Sequence, residues 1–151
     1  MRKKKFLPVH RGVAAVEFAL VAPIVCFLVL ATMIGSQGVF CYHQVASLAR
    51  DATRWAAVHG YQYQQDTGYP AAMPEDVYNT VILPKAIALR AEHLTYQVVW
   101  NESNQPLQVK EDVQNPVGNT VTVTVSYQWH PAKYLIGPIN LTSSSTMQMI
   151  Y

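Results

Sequence analysis

Between Phe18 and Ala49 the chain carries no Asp, Glu, Lys or Arg, and from Phe18 to Ile34 only Thr32 and Pro23 interrupt the apolar run. At a rise of about 1.5 Å per residue, such a run is long enough to cross a bilayer as one helix. Farther on, Cys41, Val45, Leu48, Ala49, Ala52, Trp55 and Ala56 recur at helical spacing, with His43, Ser47, Arg50, Asp51 and Arg54 on the other side. The pattern predicts that the helix continues beyond the membrane as an amphipathic stalk. Gly60 stops it, and Gly35 and Gly38 are points where it can bend.

Residues 60–74, rich in Tyr, Gln, Gly and Pro, follow neither period and read as a loop. Glu75 to His93 favours helix again, interrupted by Pro84, which lacks a backbone N–H; one broken helix or two short ones are expected. The period then changes to two. Leu94, Tyr96, Val98 and Trp100 alternate with Thr95, Gln97 and Asn101, with Val99 breaking the polar face, which is a strand with one buried side. Residues 101–119 carry turn chemistry, ending in Asn115-Pro116-Val117-Gly118. Val121, Val123, Val125, Tyr127 and Trp129 then alternate with Thr120, Thr122, Thr124, Ser126, Gln128 and His130, the clearest strand of the chain. After His130-Pro131 and Gly137-Pro138, Asn140 to Tyr151 reads as a third, polar strand. The expected fold is α+β: a long N-terminal transmembrane and stalk helix, a helical middle segment and a C-terminal three-stranded antiparallel sheet.

Composition sharpens this outline. With 151 residues, 50% hydrophobic and 13% charged, the chain has room for one ordinary domain and too few charges for a disordered or coiled-coil protein. Its formal charge of +2 hides an asymmetry, because Arg2, Lys3, Lys4, Lys5 and Arg11 precede the apolar run, while beyond Gly12 six basic residues face nine acidic ones. A nucleic-acid binder needs basic residues on its folded domain, so no nucleic-acid partner is expected. The positive-inside rule keeps the basic arm cytoplasmic and sends everything after about Val39 across the membrane. An ordinary secretory signal ends in small residues around a cleavage site, and Thr32-Met33-Ile34-Gly35 lacks the small residue three positions before a cut at Gly35. A retained anchor is expected.

Candidate chemistry is sparse. Cys26 and Cys41 lie fifteen residues apart on one predicted helix, about 22 Å, too far to bridge each other. Cys26 reads as a small apolar residue; Cys41 is either a packed thiol or an intermolecular disulfide partner. His10, His43, His59, His93 and His130 show no metal-ligand spacing, and neither a metal nor a cofactor is expected. Trp55, Trp100 and Trp129 read as core or membrane-border residues, and Tyr61, Tyr63 and Tyr69 as an aromatic loop with adhesive contact as its alternative role. Arg50 and Arg54, four apart, are either solvated stalk charges beside Asp51 or possible contacts for an acidic surface. No Ser/His/Asp order, phosphate loop or catalytic carboxylate pair can be argued, so an enzyme is not expected. Glu17 stands out, because a carboxylate at the head of an apolar helix is costly if it sinks into lipid. Its plainest role is a headgroup-level charge favoured by the helix N-terminus.

Gly12-Val13-Ala14-Ala15-Val16-Glu17-Phe18, behind a basic leader, resembles the class III signal of type IV pilin-like proteins. Residues 12–23, GVAAVEFALVAP, and 49–57, ARDATRWAA, resemble the opening and the post-membrane motif of TadE-like pseudopilins of the tight-adherence (Tad/Flp) system, though Ala52 stands where that motif has a glycine. The strand Val121 to Tyr127 and the segment Leu141 to Met147 are similar to the family's tail. The resemblance implies cleavage by a prepilin peptidase between Gly12 and Val13. It also implies pairing of the Glu17 carboxylate with the new amine of Val13, next to Phe18, in the same or a neighbouring subunit; a carboxylate in a low-dielectric bundle needs such a partner. The implied organisation is a leader at 1–12, a transmembrane helix at 13–40, a stalk at 41–60 and a periplasmic α+β domain at 61–151. The implied partners are the peptidase, a companion pseudopilin, the major Flp pilin, the inner-membrane assembly platform and membrane lipid, in a bacterial inner-membrane protein that serves pilus assembly and adhesion. The rival expectations are an uncleaved single-pass scaffold or sensor and a cleaved exported enzyme.

Overall fold

The computed structural model describes residues 10–87, 89–101, 104, 119–131 and 137–150. The chain divides into two compact units, Met1–Gln37 and Gly38–Tyr151. One helix, α1 (His10–Val58), contributes to both.

In the first unit the helix is exposed on every side between Gly12 and Gln37, with only Ala22 and Ile34 half-buried. Among the described residues α1 is the one helix long and apolar enough to cross a bilayer. A helix that is apolar all round is stable only where lipid or other helices cover it. Its few polar side chains are satisfied locally: Thr32 Oγ1 donates to Val29 O at 2.8 Å and Ser36 Oγ to Met33 O at 2.9 Å. Such bonds let hydroxyls enter an apolar medium without leaving a polar group unpaired.

In the second unit α1 becomes one-sided. Cys41, Val45, Leu48, Ala49, Ala52 and Ala56 are buried as the spacing predicts, together with Ala46, Thr53 and Ala57, while Trp55 is half-buried. The helical assignment of α1 continues through Gly35 and Gly38. At Gly38 glycine has a packing role: a Cβ built there would lie 2.6 Å from Cη2 of Trp129, so the missing side chain makes room for an indole.

The residues after α1 correct the expected loop. Tyr61–Thr67 forms a short helix, α2, although none of its residues is buried. His59 accounts for part of this. Its ring stacks on Trp55 at 4.1 Å and meets Tyr63 at 4.7 Å, while its Nδ1 lies 2.8 Å from Trp55 O. Gly68 closes α2 in the left-handed region, φ 77°, where its N–H reaches Gln64 O. A seven-residue exposed helix has no apolar stripe, so periodicity could not reveal it.

The middle segment is one broken helix. Pro74–Val77 (α3) passes into a π-helical turn at Tyr78–Ile82 and then into Leu83–Lys85 (α4), which contains Pro84. The turn widens immediately before the residue that cannot donate, and Leu83 N–H bonds back to Tyr78 O. Val77, Val81 and Ile82 face the core. A single 3₁₀ turn at Ala91–His93 leads into the sheet.

The strands are β1 (Leu94–Trp100), β2 (Thr120–Trp129) and β3 (Ile139–Gln148), antiparallel in the order β1-β2-β3. Leu94 pairs with Tyr127, and Trp129 with Ile139. Val121, Val123, Val125 and Tyr127 are buried, as their alternation requires. Each fully buried valine stabilises the fold by roughly 1.5–3 kcal/mol relative to an exposed one. The other face is polar, with cross-strand hydroxyl pairs Thr122–Thr146, Thr124–Ser144 and Ser126–Thr142 at 2.9, 3.1 and 2.9 Å. The third strand ends at Gln148, before the expected Tyr151: Met149 N–H still bonds Asn119 O in the register of the ladder, and Ile150 N–H goes to Ala57 O on α1. Three contacts orient α1 on the sheet: Gly38 under Trp129, Thr53 against Ser145, and Ala57 against Ile150. From Gly38 onward it therefore runs in the direction of β3.

Candidate functional site

The residues singled out in the sequence fall into two groups, one in each unit. In the first, Gly12, Val13, Glu17 and Phe18 all lie in the opening turns of α1 and are exposed. Val13 and Glu17 are four apart and share one face of the helix. The bond between Gly12 and Val13 lies within the described part of α1. Glycine at this point costs the helix about 0.5–1 kcal/mol relative to Ala, so local unwinding there is cheap. No atom lies within 4 Å of a Cβ built on Gly12, so packing alone does not explain its glycine. If the chain were cut at this bond, the helix would begin at Val13, with Glu17 one turn away from the new amine. Among the described residues nothing forms an ion pair or hydrogen bond with Glu17.

The second group is on the stalk. Arg50 and Arg54 are exposed and one turn apart. Asp51, which the sequence placed beside them, turns instead to the middle segment, where its Oδ2 accepts from Lys85 Nζ at 2.7 Å. Arg54 lines a shallow groove of about 440 Å³ with Asp51, Trp55, His59, Val81 and Lys85. The expected aromatic loop is divided: Tyr61 and Tyr63 are on α2, and Tyr69 lies beyond it, exposed.

Both cysteines are free. Cys26 is exposed on the apolar helix, whereas Cys41 is packed in the core, where desolvation by burial raises its thiol pKa. A buried, protonated thiol is a poor partner for disulfide exchange. Among the described residues no group of three or more His, Cys, Asp and Glu is placed to hold a metal ion.

Three arrangements escaped sequence reasoning. Thr53, on the buried side of the stalk, places Oγ1 2.7 Å from Ala49 O and 3.1 Å from Ser145 O, so one hydroxyl links the helix to β3. Threonine at a buried helical position among alanines is the only signal that could have marked it. Trp129 docks on Gly38, which the sequence offered only as a bend. His93 and His130 bring their rings within 4.7 Å, with Glu92 3.8 Å from His93; both histidines flank strand ends, but only the sheet register makes them neighbours.

Residues 12–54 match the family model of TadE-like proteins. The match bears out the resemblance read from the opening of the helix and extends through Arg54, so it contains Gly12, Val13, Glu17, Phe18, Arg50 and Arg54. The strand similarities near the C-terminus lie outside it. No curated protein and no solved structure gives a match. The TadE-like match associates the chain with Tad pili, whose TadE-like components are structural rather than catalytic, and the apolar N-terminal helix fits a single-pass membrane anchor.

Proposed function

We propose that this chain is a minor pilin or pseudopilin of a tight-adherence system, held in the bacterial inner membrane and needed for assembly of Flp-type pili and for surface adhesion. The observation that carries this reading is the TadE-like match over residues 12–54, which starts at the glycine of the leader-like motif. In this reading residues 1–12 are a cytoplasmic leader removed by a prepilin peptidase, 13–40 span the membrane, 41–60 form the stalk and 61–151 complete a periplasmic domain. The protein acts by binding, and its partners are the peptidase, a companion pseudopilin, the major pilin and the assembly platform.

The chemistry assigned to each site residue follows from its position. Gly12, which has no Cβ, lets the peptidase approach the backbone closely. Cleavage creates an ammonium at Val13, and Glu17, one turn away, neutralises it or that of a neighbouring subunit. In hydrocarbon an unpaired carboxylate is expensive, so pairing drives subunits to dock in one register. Phe18 covers the pair from the lipid side, and Arg50 and Arg54 present a cationic turn of the stalk to acidic partner surfaces.

The test is the intact mass and N-terminal sequence of the membrane-extracted protein, made with and without the prepilin peptidase. A chain starting at Val13 only when the peptidase is present is the expected result. A full-length chain in both hosts would overturn the processing and favour an uncleaved scaffold; a soluble product lacking the apolar run would overturn the anchor.

A further inference from the structure

At the end of the second unit where α1 enters it, two separate elements present uncharged, apolar surface. On α1, Val39, Phe40 and Tyr42 are 57%, 51% and 47% exposed, and at the start of β3 Ile139 is 40% exposed. Trp129 joins them. It pairs with Ile139 across the hairpin and rests its ring on Gly38, 2.6 Å from where a Cβ would be. The β2–β3 end of the sheet is thereby pinned to α1 at Gly38. Residues 18–49, 119–131 and 137–150 contain no Asp, Glu, Lys or Arg. Along α1 the first charge is Arg50, roughly 18 Å beyond Gly38.

Single exposed aliphatic residues need no explanation, but several exposed apolar residues with a Trp and a Tyr, at the level where a membrane-spanning run ends, do. The amphipathic rings of Trp and Tyr favour the headgroup layer, where one side is wet and the other apolar. We propose that Val39, Phe40, Tyr42, Trp129 and Ile139 rest in the headgroup layer of the bilayer, so that the β2–β3 end of the sheet is a second membrane contact beside the anchor. This rests on the reading of the apolar helix as membrane-spanning. Lipid is the occupant because Val39, Phe40 and Tyr42 continue the apolar run of α1 with no charged residue between, and Trp129 is held against that same level of the helix at Gly38. Its depth is set by β1, whose start lies at the same end through the Leu94–Tyr127 pair: Arg90 and Glu92, just before it, are exposed and belong among headgroups, not in hydrocarbon.

The test uses the full chain in vesicles of phosphatidylethanolamine and phosphatidylglycerol, with lipids brominated either near the headgroup or near the chain end. In the Trp55→Phe, Trp100→Phe variant, Trp129 is the only indole and loses about half its emission to shallow bromine, with little loss to deep bromine. A companion carrying Phe27→Trp in a Trp-free background reports the anchor and responds to deep bromine. Trp129 unquenched beside a quenched Trp at position 27 overturns the headgroup contact and leaves the anchor standing; no quenching at either position overturns the anchor reading as well. If the tryptophan variants fail to fold, a polarity-sensitive dye on Ile139→Cys, with both native cysteines changed to Ala, takes their place. Its emission shifts to the blue on vesicle binding, while the same dye on Gln148→Cys, about 30 Å along the strand, does not. Equal shifts at both positions, or disulfide cross-linking of Ile139→Cys between copies in place of a shift, overturn the proposal.

Discussion

The two halves of α1 obey different rules. From Gly12 to Gln37 the helix is exposed and apolar on every face, whereas from Gly38 to Val58 it buries one face of mostly small residues against the sheet and leaves Arg50 and Arg54 outside. Both halves are equally helical, so helicity teaches nothing about their roles. What differs is the source of stability. The second half is fixed by contacts within its own chain, and the first has only what surrounds it. Substitutions in the first half should therefore change processing and assembly while leaving the folded unit intact, and substitutions in the second should do the reverse.

The largest effect is expected at Gly12. Gly12→Val places a β-branched side chain at the proposed scissile bond, and the product shifts almost entirely to precursor mass while near-ultraviolet circular dichroism of the folded unit is unchanged. Continued cleavage at the same bond would remove Gly12 from the site. Glu17→Ala comes next: the chain is cut normally, but piliation counted by electron microscopy drops to a small fraction of the parent's. Normal piliation in that variant would reduce Glu17 to a headgroup charge.

Crossing to the second half, Gly38→Val should cost roughly 2–3 kcal/mol of stability, because overpacking against a rigid indole exceeds what a well-filled core absorbs. Denaturant unfolding in detergent measures it, with cleavage at Gly12 unaffected. In a Trp129→Ala background the same change should cost far less, since the two groups share one space. An equal cost in both backgrounds would mean that Trp129 is not what Gly38 accommodates. Thr53→Val is smaller, about 1 kcal/mol, from the loss of the hydroxyl that joins Ala49 O and Ser145 O while shape is kept.

These pairs also show how far sequence could reach. The strands were legible because alternation is a local signal: Val121 to Tyr127 carries it in seven residues, and all four inward positions are buried. The stalk face was legible for the same reason. Glu17 and Gly12 were visible as oddities of type and place, and the family match covers them without testing their roles. Helix α2 was not legible, because a stack of Trp55, His59 and Tyr63 holds it in place of a buried stripe. Nor was the job of Gly38, since a missing Cβ acquires meaning only when a residue 91 positions away is brought against it. Segments 102–103 and 105–118, expected to hold turn chemistry, and most of the basic leader lie outside the described residues.

The smallest effect separates electrostatics from packing within the second half. Asp51 and Lys85 meet at 2.7 Å, but their side chains are 40% and 54% exposed. An exposed pair gains little from Coulomb attraction in high dielectric and spends side-chain entropy to hold its geometry, so it contributes a few tenths of a kcal/mol, about 1 at most. Asp51→Asn should therefore lower stability by less than Thr53→Val does, and the deficit should shrink as salt is raised from low to physiological strength, since screening at that distance acts on solvent-exposed charges. A loss larger than that of Thr53→Val, insensitive to salt, would mean that the contact between stalk and middle segment is held by charge rather than by Val77, Val81 and Ile82. The near-complete burial of those three side chains argues the opposite, because removing them from water supplies several times what an exposed ion pair can.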